Sequence, residues 1–282
     1  MKNIKLFFLT CLSTLFLQEN IGAHDYPFEV SISGEGIQHI VLIPGFGCSG
    51  TVWDETVLQY TKQFTCHTLT MAGFSGVEPK SDPSFQAWSD AVADYIAKEN
   101  LNQPHLIGHS MGGAMVMNIA ADYPDLISKI IVVDALPCLA ALMNPSFEHE
   151  EQPDCSQISS QLLSLSNDQF KAMQHMNIPS LLANESKREQ VVEWTLTSDR
   201  TTFAEMFCSF SNTDLREKIS KITCPSLILL EAPFVHNKAN MEAQYTTLKT
   251  ADIRYAEKGL HFIMYDNPNW YFNQLDNFIF TK

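Results

Sequence analysis

Gly108-His109-Ser110-Met111-Gly112 sets one serine between two glycines. Residues 104–107, Pro-His-Leu-Ile, read as a short buried strand, and residues 111–122 read as a helix carrying the small residues Gly113, Ala114, Ala120 and Ala121. A serine on so sharp a strand-to-helix turn presents its hydroxyl at the end of a sheet, where it can accept an acyl group. A serine hydroxyl is a weak nucleophile until a base takes its proton, so this chemistry requires a histidine and a group to orient it. Of nine histidines, His261 stands out. It lies in Gly259-Leu260-His261-Phe262, after the last strand-like run and just before Asn267-Pro268 and a final helix. That is a loop at the carboxyl edge of the sheet, where open α/β sheets carry their catalytic groups.

The elements that must position these residues alternate along the chain. Residues 29–33 and 38–43 are β-rich and separated by Gly34-Glu35-Gly36, which predicts a hairpin. A helix is expected over 50–64, a strand over 66–70, and an amphipathic helix over 85–99 with Trp88, Val92, Tyr95 and Ile96 on its apolar face. After strand 104–107 and helix 111–122 come strand 129–133, then strand 226–230, helix 240–249, strand 252–255 and a last helix from Pro268. This rhythm implies an α/β domain with a mostly parallel central sheet and helices on both faces. Between Asp134 and Cys224 the rhythm breaks. Residues 159–165, 168–176, 185–197 and 201–209 look helical and are rich in Met and Phe, so 135–223 is expected to form a helical cap insertion on a core built from 24–134 and 224–282. Some of its methionines and aromatics form its own small core, and others are expected to face the cleft beneath.

From residue 38 to 282 the chain resembles the α/β-hydrolase superfamily, in its capped serine-hydrolase branch. The resemblance rests on Pro44-Gly45-Phe46-Gly47 after the early strand, on Gly108 to Gly113, and on Leu260-His261-Phe262 with Pro268 downstream, in that order. It implies the α/β-hydrolase fold, Ser110 as nucleophile, His261 as general base, and the backbone N–H groups of Phe46 and Met111 as an oxyanion hole. Where the family usually has histidine before the first of the early glycines, this chain has Pro44. The family's usual acid, an aspartate a few residues beyond the strand matching 226–230, is also missing, and Phe234 stands at its expected place. Some relatives take the acid from the end of the preceding core strand, which here is Asp134; Glu231, at the tip of the later strand, is the alternative. Asp266 is read as a helix cap. Serine at position 110 excludes the aspartyl-ester chemistry of dehalogenases and epoxide hydrolases in the same superfamily.

The expected activity is hydrolysis of carboxylic esters, through an acyl-enzyme, on small-molecule substrates with a largely apolar portion held under the insertion. A lactonase or carbon–carbon bond hydrolase on the same fold is the alternative within enzymes, and a non-catalytic ligand-binding relative the alternative outside them. A further motif competes: Gly45-Phe46-Gly47-Cys48-Ser49-Gly50 fits the G-x-G-x-x-G of a dinucleotide-binding turn. Against an NAD(P)-dependent oxidoreductase, the following strand ends without the acidic residue that would hold a ribose. No cofactor is expected. Nor is a metal, because His105 and His109 sit on a strand and a turn and no cysteine pair has zinc-site spacing.

At 282 residues with 45% hydrophobic residues and a formal charge of −14, the chain can bury one large core and is strongly acidic. That charge argues against nucleic acid or anionic membrane as a partner; oligomeric state is not legible. The opening segment has Lys2 and Lys5, an apolar run over 6–17 and the small pair Gly22-Ala23, the layout of a signal peptide over 1–23. The run is too short for a stable membrane span, which takes about 20 residues. A secreted or periplasmic location is therefore expected. Six cysteines follow this segment, and one bridge among Cys138, Cys155 and Cys208 stands as an alternative to buried free thiols.

Overall fold

The computed structural model describes residues 26–281; the expected leader over 1–23 lies outside them. Seven strands form one sheet: β1 (Phe28–Ser33), β2 (Gln38–Ile43), β3 (Phe64–Met71), β4 (His105–His109), β5 (Lys129–Val133), β6 (Ser226–Leu230) and β7 (Ala251–Tyr255). Their spatial order is β1-β3-β2-β4-β5-β6-β7, and every pairing is parallel except β1 with β3. The central strands read as unbroken apolar runs because both of their faces are covered. Val41, Leu106 and Val132 face one core cluster, while Leu42, Ile107 and Ile131 face the other.

The hairpin expected at Gly34-Glu35-Gly36 does not form. β1 pairs antiparallel with β3, from Phe28 opposite Met71 to Ser33 opposite Cys66, and β2 lies on the far side of β3. The two glycines serve a crossing instead of a turn. A Cβ on Gly36 would fall 2.1 Å from the Gln63 carbonyl oxygen, and one on Gly34 would fall 2.3 Å from that of Phe64. The link thus presses backbone to backbone across the start of β3.

Helices α1 (Asp54–Tyr60), α2 (Phe85–Lys98), α3 (Met111–Asp122), α8 (Lys238–Gln244), α9 (Ile263–Asp266) and α10 (Pro268–Ile279) belong to the sheet layers. The helix expected over 50–64 is a 3₁₀ turn, Gly50–Trp53, followed by the short α1. The one expected over 240–249 starts and stops earlier, as α8 after a 3₁₀ segment at Ala232–Asn237. α2 is capped by the Ser84 side chain and buries the expected face, Trp88, Val92, Tyr95 and Ile96 among it. α3 is buried nearly throughout, which its glycines and alanines permit.

Between β5 and β6 lie α4 (Ser156–Ser164), α5 (Asn167–Leu181), α6 (Glu185–Leu196) and α7 (Arg200–Ser211). Local chemistry starts three of them: a capping box of Ser166 and Gln169 on α5, and Asn184 and Asp199 capping α6 and α7. α4 has no fully buried residue, and a disulfide ties its start to α7 through Cys155 and Cys208, with Cα atoms 5.7 Å apart. Cys138, the third candidate for a bridge, is a buried free thiol, as are Cys48, Cys66 and Cys224. Among the described residues no helix is long and apolar enough to cross a membrane.

Candidate active site

Parallel register brings the ends of β4, β5 and β6 to one edge, and three backbone residues lace that edge together. His109 pairs with Val133, and Val133 with Leu229. Beyond these pairs the Ser110 N–H donates to the Val133 carbonyl at 2.9 Å and the Asp134 N–H donates to that of Leu229 at 2.8 Å. The Glu231 N–H then donates to Asp134 Oδ1 at 2.7 Å. Ser110, Asp134 and Glu231 therefore occupy equivalent places at three successive strand tips.

Ser110 has φ 53° and ψ −122°, a conformation that a non-glycine residue holds only where its surroundings impose it. The surrounding glycines impose it. A Cβ on Gly108 would fall 2.2 Å from the Gly112 carbonyl oxygen, and one on Gly112 would fall 2.3 Å from that of Ile43. β4, the elbow and the end of β2 thus meet without side chains between them. Ser110 stands at the N-cap of α3 and offers no side-chain cap, so the Met111 N–H sits in a first turn whose donors have no helical acceptor. Across the cleft, Gly45-Phe46-Gly47 forms a turn closed by Cys48 N–H to Gly45 C=O at 3.1 Å. The Phe46 ring packs on Phe74, Phe203 and Phe207, fixing the turn against α7. The glycines of the G-x-G-x-x-G run are spent on packing: Gly45 against the His109 ring and Ser110, Gly50 against β3.

His261 follows β7 on a loop whose geometry comes from several anchors. Its Nδ1 lies 2.6 Å from Asp134 Oδ2, with the histidine side chain 22% and the aspartate side chain 1% exposed. A carboxylate accepts, so Nδ1 carries the proton and Nε2 is left free as a base. Burial pulls the His261 pKa down, but the hydrogen bond it donates to Asp134 and the charges of Asp134 and Glu231 outweigh it and leave it above the usual value. The Glu231 carboxyl makes no hydrogen bond to this ring. Burial, with the Asp134 charge beside it, pushes Glu231 up to about 7.

Two positioning residues escaped the sequence reading. The His109 Nε2 lies 3.0 Å from the His261 carbonyl oxygen. Because a carbonyl can only accept, His109 must carry its proton on Nε2, and its buried Nδ1 has no partner among the described residues. Burial and the neighbouring His261 hold its pKa well below the usual value, so the ring is neutral. The pentapeptide's variable position thus steadies the backbone of His261, which the motif's spacing alone does not reveal. Asp266, read as a helix cap, instead accepts from the N–H groups of Leu260, Ala183 and Asn184 at 2.8, 3.1 and 2.8 Å. It joins the His261 loop to the insertion between α5 and α6.

These groups open into a cavity of about 490 Å³. Gly45, Phe46, Ser110, Asp134, Glu231 and His261 line its floor, and Gln174, Ile178, Thr195, Phe203 and Phe207 of the insertion line its roof. Cys48 also reaches it, but burial pushes its thiol up to about 12 and keeps it protonated. Ser110 and His261 line this same cavity. Among the described residues no group of three or more His, Cys, Asp or Glu has the arrangement of a metal site.

The sequence model described as "Alpha/beta hydrolase family" matches residues 40–273. The chain is 26% identical over 202 residues to the pimeloyl-[acyl-carrier protein] methyl ester esterase of Vibrio atlanticus, covering 70% of this chain and 76% of that one. It is 24% identical over 201 residues to the enzyme of the same name from Vibrio cholerae, with the same 70% and 76% coverage. Its fold is similar to that of the enol-lactonase of Burkholderia xenovorans, with a TM-score of 0.75 at 15% identity over 90% of this chain and 96% of that one. An esterase from Exiguobacterium antarcticum gives a TM-score of 0.74 at 14% identity, again over 90% and 96%.

Proposed function

We propose that this chain, which belongs to the alpha/beta hydrolase family, hydrolyses carboxylic esters by passing their acyl group through Ser110. The observation that carries the reading is the 2.6 Å contact of Asp134 with His261 Nδ1 beside a serine held at positive φ in the same cavity. The relatives named as esterases support it.

Ser110 Oγ attacks the ester carbonyl carbon while His261 Nε2 takes its proton. The oxygen, now an anion, is met by the N–H groups of Phe46 and Met111, each worth on the order of 3 kcal/mol to the transition state. Asp134 holds the imidazolium so formed. As the tetrahedral intermediate collapses, the C–O bond to the alcohol breaks and His261 returns its proton to the departing alkoxide. Water then repeats the sequence in reverse: His261 deprotonates it, it adds to the acyl carbon, and the acid leaves as Ser110 regains its proton. Apolar walls under the insertion suit a substrate with a largely apolar acyl or alcohol portion.

A secreted or periplasmic site of action is part of the proposal. The Cys155–Cys208 bridge supports it, since such bonds persist in oxidising compartments. N-terminal sequencing of the protein recovered from its native host should begin after Ala23.

The test of the activity is labelling by a fluorophosphonate probe together with hydrolysis of an ester panel of varied chain length. Wild type should be labelled and active, and Ser110→Ala neither. A folded wild-type protein that is neither labelled nor active on any ester would overturn the reading.

A further inference from the structure

Of the polar side chains that the insertion contributes to the cavity, Thr195 is satisfied within its own helix, its hydroxyl donating to the Val192 carbonyl at 2.8 Å. Gln174 is not. It projects from α5 on the same face as Ile178 and Leu181, one and two turns on, and all three line the cavity. Gln174 is 6% exposed, and its carboxamide makes no hydrogen bond to any described residue. The walls of the same cavity include the apolar side chains of Leu136, Leu142, Phe203 and Phe210. Its amide atoms are not among the sealed, unpaired polar atoms of the interior, so they are open to the cavity, and an amide presented there from an apolar wall points to a partner that arrives with the ligand. A substrate filling this cavity shuts the amide off from solvent. It must then hydrogen-bond the amide or leave it unpaired, and a site built to pair with a polar group rejects an analogue without one far more strongly than it rejects a methylene more or less.

The charge of that partner also follows from the walls. Among the described residues lining the cavity there is no lysine or arginine, while two carboxyl groups, Asp134 and Glu231, are present. An anionic group on the substrate would meet no cation and a negative field. We infer that Gln174 is a specificity residue that hydrogen-bonds a neutral acceptor, such as a keto or amide carbonyl, within the chain lodged under the insertion. The substrates are accordingly esters bifunctional in this sense, and not plain alkyl esters.

This inference rests on the ester-hydrolase reading, so its test separates the two. A keto group is moved one carbon at a time along methyl octanoate, and along the alkyl chain of octyl acetate, and kcat/KM of each ester is compared with its unsubstituted parent. In wild type at least one keto position should exceed its parent by tenfold or more, and an ω-carboxylate at that distance should fall below it. Gln174→Met, of similar volume, and Gln174→Leu, neither of which has an N–H to donate, should both lose that preference while still hydrolysing the parent. A flat scan in wild type, or a preference that survives both substitutions, overturns the role of Gln174 and leaves the ester-hydrolase reading standing. Hydrolysis of no ester by folded wild type overturns both.

Discussion

Asp134 and His261 stand 127 residues apart in the chain and 2.6 Å apart in space. Asp134 takes the His261 ring on one carboxylate oxygen and the Glu231 N–H on the other, at 2.7 Å, so the tip of β6 orients the same carboxylate that orients the His261 ring. Asp134 itself holds φ 49°, a left-handed conformation that aspartate tolerates better than most residues. The arrangement yields several expectations.

Asp134→Asn should reduce kcat by on the order of 10³- to 10⁴-fold, because an amide opposite Nδ1 favours the wrong imidazole tautomer. Glu231→Gln, which keeps the backbone N–H that Asp134 uses, should stay within about tenfold of wild type, a factor worth about 1.4 kcal/mol. Ester hydrolysis by the two purified variants checks the pair. Near-full activity in Asp134→Asn with a collapse in Glu231→Gln would assign the acid to Glu231.

The acidic limb of the pH profile of kcat/KM should lie above 6.5, since His261 must be unprotonated to act as base and its pKa is raised, against burial, by Asp134 and Glu231. Removing the Glu231 charge takes away one of the raising influences. In Glu231→Gln the limb should move to lower pH, and a move to higher pH would contradict the geometry.

Glu231 should also cost stability. Its folded pKa of about 7 lies above the ordinary 4.5, so the folded protein binds its proton more tightly than the unfolded chain does. The penalty is complete above pH 7, shrinks as pH falls through that value and is gone below about 4.5. Discounted for its partial exposure, it amounts to roughly 1–2 kcal/mol. Urea unfolding at pH 8 should show Glu231→Gln more stable than wild type by about that much, with the difference absent at pH 4.

Gly108→Ala should yield little folded protein, or a protein destabilised by at least about 3 kcal/mol. The new Cβ would sit 2.2 Å from the Gly112 carbonyl oxygen and 2.7 Å from the Gly113 nitrogen, both backbone atoms with nowhere to move. Soluble yield and thermal unfolding measure this.

Replacing Cys155 and Cys208 together by serine should loosen α4 from α7. Their separation of 53 residues sets a chain-entropy contribution of about 4 kcal/mol, an upper figure for the loss in denaturant unfolding. Limited proteolysis should cut the variant first near α4, which has no fully buried residue of its own.

Much of this protein was legible along its chain because the determining signals are local. The elbow glycines, the apolar runs of β4, β5 and β6, the face of α2 and the loop carrying His261 all announce themselves within a few neighbouring residues, and they imply a mostly parallel sheet with a helical stretch between β5 and β6. Choices between remote partners were different. Gly34-Glu35-Gly36 has the composition of a hairpin, and only the close approach of residues 61–64 turns it into a crossing that hands β1 to β3. Asp134 and Glu231 both end apolar strands, and nothing local says which reaches His261; the register of β5 against β6 and the loop after β7 decide it. The partners of Cys155, of Asp266 and of the His109 ring, and the lack of one for Gln174, are likewise matters of packing. Local sequence sets backbone propensity and burial pattern, whereas contacts between residues a hundred positions apart exist only once the sheet has brought strand ends to one edge.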